Sequence, residues 1–107
     1  MEFTFSATVI EWRGPAPYYY ADMPVEDSED VKDAAKGLEY WGQVPVVVRI
    51  GDTDFTTALF PKDGRYLLPL RDAVRRAEGI ELGMTVDVGM DLNRDGRRPD
   101  VQRRNLG

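Results

Sequence analysis

The sequence predicts a mainly β fold, a small β-barrel of five to six strands with one or two short helices. Three observations predict it. Several segments alternate apolar and polar residues with period two. Glycine- and proline-bearing turns separate them at short spacing. The chain has 107 residues, the length of one domain with a modest core.

Phe3, Phe5, Ala7 and Val9 alternate with Thr4, Ser6, Thr8 and Ile10, which reads as a first strand. Arg13-Gly14-Pro15 breaks it. Residues 17–23 (PYYYADM) read as a second strand, their three tyrosines suited to a pleated surface, and Pro24 ends it. Residues 25–37 read as a short helix across the edge or end of the sheet. Ser28, Glu29 and Asp30 precede Lys32 and Lys36, as the helix dipole favours. Val31, Ala34, Ala35 and Leu38 would form its buried side, and Gly37 its stop.

Residues 38–43 (LEYWGQ) read as a loop with two large aromatics. In the next strand Val44, Val46, Val48 and Ile50 alternate with Pro45, Val47 and Arg49, and Pro45 confines the strand to an edge or to a strand beginning. Gly51-Asp52-Thr53-Asp54 is a hairpin turn into a strand starting at Phe55. Pro61 is expected to stop that strand, with Pro61-Lys62-Asp63-Gly64 as the turn. The strand returns over residues 65–69 with Tyr66 and Leu68 on one face. From Leu70 the spacing becomes helical, with Leu70, Ala73, Val74 and Ala77 on one side, and Gly79 fits the left-handed residue after a helix end. Gly83 opens a last strand in which Met84, Val86, Val88 and Met90 alternate with Thr85, Asp87, Gly89 and Asp91. After Leu92 the chain is polar and Arg-rich. Residues 1–92 are expected to form the barrel domain, and residues 93–107 a frayed or partner-ordered tail.

Composition excludes several chemistries. The sequence has no His and no Cys, which removes Ser-His and Cys-His nucleophiles, thiolate chemistry, disulfides and His-ligated metals. Acid–base work would fall to Asp, Glu, Lys or Tyr with a shifted pKa. The formal net charge of -5 disfavours a general nucleic-acid role. No apolar run reaches the ~20 residues of a membrane span, and the start lacks the pattern of a secretory signal. The expectation is a cytoplasmic protein without membrane contact, metal or cofactor.

The candidate site residues are aromatic, basic and acidic. Trp12, Tyr18, Tyr19, Tyr20, Tyr40, Trp41 and Tyr66 could line an aromatic pocket, or could fill the core and rim of the barrel. Lys62, Arg65 and Arg71 are candidates for an anion site, since guanidinium groups suit carboxylate or phosphate; their alternative is a solvated surface. Tyr20, Glu11 and Asp22 are the candidate catalytic groups, with Glu39 a further acid near the aromatics. Residues 91–96 (DLNRDG) lack the ligand spacing of an EF-hand and read as a turn.

Tyr40-Trp41-Gly42-Gln43-Val44-Pro45-Val46, residues 56–69 (TTALFPKDGRYLLP) and residues 73–79 (AVRRAEG) resemble the domain-of-unknown-function family nineteen-oh-five. Gly14-Pro15-Ala16-Pro17-Tyr18 and Met23-Pro24 extend the resemblance, which covers residues 3–92. It implies a double-split β-barrel, an architecture also used by AbrB/MazE-like transcription factors, and no settled activity. Three positions depart from the pattern. Ala58 stands where such sequences often carry Ser, Arg71-Asp72 replaces a Lys-small pair, and Met84 follows Gly83 where Asp is usual.

The leading functional expectation is a small-molecule-binding barrel with an aromatic pocket, extending to cofactor-free cyclase or isomerase chemistry. The alternatives are a structural or protein-interaction module and an AbrB-like DNA binder; the last rests on fold analogy, and the net charge opposes it. Exposed strand edges give a homodimer a route to form.

Overall fold

In a computed structural model describing residues 2–12, 18–39, 42–96 and 101–103, six antiparallel strands close into a barrel. The strands are β1 (Glu2–Trp12), β2 (Tyr18–Asp22), β3 (Val44–Ile50), β4 (Thr53–Lys62), β5 (Arg65–Leu70) and β6 (Thr85–Leu92). They run β3-β6-β1-β2-β5-β4, and β4 pairs back onto β3 to complete the ring. Two helices, α1 (Val25–Ala34) and α2 (Asp72–Glu78), pack on the strands, and a seventh short strand, β7 (Val101–Arg103), joins β4.

β1 serves two neighbours in succession. Its residues 2–8 pair with β6 and residues 8–12 with β2. β4 divides one of its edges in the same way, pairing residues 60–62 with β5 and residues 53–55 with β7, while its other edge pairs with β3. Residues 56–59 of the divided edge lie between the two pairings. Closure leaves the barrel no long open edge to attract another chain.

The alternation read from the sequence becomes an inside and an outside. The inward row is Phe5, Ala7 and Val9 of β1, Ala21 of β2, Val44, Val46, Val48 and Ile50 of β3, Phe55 and Leu59 of β4, Tyr66, Leu68 and Leu70 of β5, and Val86, Val88, Met90 and Leu92 of β6. Val31 and Ala35 from α1, Val74 from α2 and Ile80 complete this core. The lumen is therefore filled with side chains, most of them aliphatic.

Several boundaries differ from the sequence expectation. β4 begins at Thr53 and runs through Pro61 to Lys62. Proline is tolerated there because the β3 pairing ends at Leu59, so only one edge still needs donors. The turn is then the two residues Asp63 and Gly64, with φ of 52 and 81°, the positive pair of a tight hairpin. Leu70 closes β5 rather than opening the helix, which starts at Asp72. Within residues 93–107, residues 101–103 form β7, with Val101 half-buried against the core.

Ser28 shows how α1 is fixed. It lies inside the helix, 2% exposed, and its hydroxyl accepts the backbone N–H of Tyr66 at 3.1 Å. Ser28→Ala leaves that buried N–H without its partner and is expected to cost about 2 kcal/mol in urea unfolding. A loss below about 0.5 kcal/mol would show that the bond does not anchor α1.

Candidate functional site

β2 decides where the central aromatics go. Ala21 and the following Met23 are fully buried, and Tyr19 lies partly buried against the core. Tyr18, Tyr20 and Asp22 alternate with that row and face outward, as the pleat requires. The register extends their row across the sheet. Trp12 lies opposite Tyr18, Tyr20 opposite Pro69, and Phe60 opposite Leu67. An outer wall of the barrel, where polar residues would be ordinary, is coated with rings.

The rings of Tyr18 and Tyr20 pack with centroids 5.4 Å apart, tilted by 47°. Trp12 and Phe60 are 49% and 44% exposed, whereas Leu67, on the same outer side, is 2% exposed. Trp12, Tyr20, Phe60, Lys62 and Leu67 line a cleft of about 270 Å³ with Leu67 as its floor. The Lys62 ammonium lies 4.1 Å from the centroid of the Trp12 ring, a cation–π contact that holds the indole at the rim.

A second cleft of about 390 Å³ opens on the other side of the tyrosine pair, lined by Tyr18, Pro45, residues 56–58, Arg71 and Asn93. Arg71 follows directly on β5 and reaches back to the divided edge of β4, where Nη2 donates to the Thr56 carbonyl. Burial holds the Tyr18 phenol above its ordinary pKa, with Arg71 pulling the other way, so the hydroxyl is protonated at neutral pH. Ala58 and Arg71, two of the positions that depart from the family pattern, meet in this cleft.

The other sequence candidates are dispersed. Glu11 lies opposite Tyr19 and therefore on the inward side of β1, across the sheet from Tyr20. Asp22 shares the outer row with Tyr20 but is paired with Arg65, Nε to Oδ1 at 2.5 Å and Nη2 to Oδ2 at 3.4 Å. Tyr20, Glu11 and Asp22 thus do not converge. Arg71 stands apart from Lys62 and Arg65, which lie opposite each other across the β4–β5 hairpin; Lys62 is engaged with the Trp12 ring and Arg65 with Asp22. Tyr66 points inward, and burial raises its phenol pKa, with the charge of Glu39 adding to the rise. Tyr66, Arg65 and Lys62 line a further hollow of about 510 Å³ with Ser28, Lys32 and Glu39. Tyr40 and Trp41 lie outside the described residues.

Phe60 and Leu67 belong to the wall and escaped sequence reading. Their signal was an apolar residue on each face of β4 and β5, but only the strand order sets them beside Trp12 and Tyr20. No described helix is long and apolar enough to cross a membrane. A family model described as Domain of unknown function (DUF1905) matches residues 5–90. No curated protein matches the chain.

Proposed function

The chain belongs to the DUF1905 family, and we propose that it is a small-molecule-binding domain that holds a flat, largely apolar ligand on the outer wall of its barrel. The observation that carries this reading is the partly exposed row of Trp12, Tyr18, Tyr20 and Phe60, with Leu67 buried beneath the cleft that Trp12, Tyr20 and Phe60 line. Rings exposed together on one face offer a large contact area at low side-chain entropy cost. Lys62 and the tyrosine hydroxyls supply polar tips that would orient a ligand. The reading is of a cytoplasmic, cofactor-free binder. Were it extended to isomerase or cyclase chemistry, proton transfer would fall to the phenols of Tyr18 and Tyr20, because Asp22 is ion-paired with Arg65 and Glu11 faces inward.

Calorimetric titration with 2-naphthol tests the site. The wild-type chain is expected to bind it saturably. Tyr20→Ala and Phe60→Ala should each weaken binding about 10-fold, the loss of one ring contact, with unchanged circular dichroism. Binding that is insensitive to both substitutions would move the site off this wall. An interaction module would use the same exposed rings, since Trp, Tyr and Phe anchor protein interfaces. The two clefts flanking the tyrosine pair favour the small molecule.

A further inference from the structure

We propose that the cleft beside Tyr18 is a carboxylate subsite of the outer-wall site, so that the ligand is a flat aromatic acid. Its ring system would lie against Tyr20, Phe60 and Trp12, and its acid group against Arg71. This rests on the reading of the outer wall as a ligand site.

The charge pattern around Arg71 carries the argument. Two arginines stand here, and their surroundings differ. Arg75 is paired with Asp72, and its guanidinium stacks 4.1 Å from the centroid of the Tyr19 ring. Arg71 has no carboxylate partner among the described residues. Its Nη2 is anchored on the Thr56 carbonyl; the Nε of both arginines is buried without a hydrogen-bond partner among the described residues, so the missing carboxylate is what sets Arg71 apart. A guanidinium has five N–H donors in a rigid fork, and this one is already held in place by one of them. Arg71 lines the cleft and is only partly buried, so its remaining Nη N–H groups are the donors that an acceptor in the cleft would meet.

The walls suit such an acceptor. Pro45 and Ala58 present apolar surface, and Tyr18, residues 56 and 57 and Asn93 complete the lining. Low polarity around the guanidinium strengthens a charge-assisted pair. A single uncompensated positive charge matches a monoanion, and the neighbouring Asp72 opposes a dianion such as phosphate. The clefts lie on either side of the Tyr18–Tyr20 pair, whose ring centroids are 5.4 Å apart, so a bicyclic acid can touch both.

The test compares 2-naphthoate with 2-naphthamide, which has the same ring and no charge, by calorimetry on the full chain. The wild type should bind the acid about 10-fold more tightly than the amide, the scale of one charge-assisted hydrogen bond. Arg71→Gln, which retains a donor for the Thr56 carbonyl, should abolish that preference while leaving amide affinity within about twofold. Arg71→Lys should fall between, since it keeps the charge and loses the fork. Equal affinity for both probes in the wild type, or a preference that survives in folded Arg71→Gln, overturns the subsite. If both probes then still lose affinity in Tyr20→Ala, the aromatic wall stands without it. Failure of both probes to bind the wild type overturns the subsite and the wall together.

Discussion

Leu59→Ala is expected to lower stability by about 3 kcal/mol in urea unfolding, while Phe60→Ala, one residue further along β4, lowers it by less than about 1 kcal/mol. Leu59 is completely buried and belongs to the core cluster; Phe60 is 44% exposed on the opposite face. Removing the buried leucine loses its transfer free energy and leaves a cavity among close-packed neighbours. Removing the larger phenylalanine strips a ring already half in water. By size alone the order would be the reverse, so the comparison reads which face of β4 holds the fold. Equal losses at the two positions would mean that the outer ring row is structural packing and not a surface held ready for a ligand.

Gly51→Ala is expected to cost about 2 kcal/mol, although it adds a single methyl group. Gly51 opens the turn between β3 and β4 with φ of 57°, and a Cβ built there would stand 2.0 Å from Glu78 Oε1. Glu78 ends α2 and accepts the Asp52 backbone N–H at 3.2 Å and the Thr53 hydroxyl at 2.6 Å. The carboxylate can swing away, but doing so releases the hydroxyl of a fully buried threonine and unties α2 from the hairpin. Gly83→Ala is the control. Its φ is 87° and nothing lies within 4 Å of the added carbon, so only the backbone strain of about 1 kcal/mol remains. The Gly51→Ala/Glu78→Ala double variant should be less destabilised than the sum of the singles, because both remove the same bonds. Strict additivity would contradict that coupling.

Legibility in the sequence depended on how many signals converged on one residue. β3 spans residues 44–50, the run in which Val44, Val46, Val48 and Ile50 were read as one face. Gly79 adopts the left-handed conformation expected after a helix, with φ of 63°. Leu70 satisfied two patterns at once, period two with Tyr66 and Leu68 and helical spacing with Ala73 and Val74, and the strand prevailed because it pairs with Tyr19. Pro61 reads as a stop from its missing donor alone, but whether a proline fits depends on where the neighbouring strand ends, and β3 ends its pairing at Leu59. β7 carries no pattern of its own, and it forms because β5 leaves the start of β4 uncovered.

For the site, residue types were legible and sides were not. Trp12, Tyr18 and Tyr20 were visible as aromatics, but whether they filled the barrel or coated it depended on Ala21 and Met23 claiming the inside. That Glu11 faces away from Tyr20 follows from the pairing of Glu11 with Tyr19 and of Ile10 with Tyr20. The partner of Asp22 is 43 residues distant, beyond any local rule.

The central claim, that a ligand binds the outer wall while the lumen stays closed, is tested most directly by mapping amide and methyl NMR shifts during titration with 2-naphthol. The account predicts saturable shifts gathered on Trp12, Tyr18, Tyr20, Phe60 and Leu67, with the methyls of Val46, Val48 and Leu68 unmoved. Shifts centred on those lumen methyls, or no saturable shift on the wall, would contradict it.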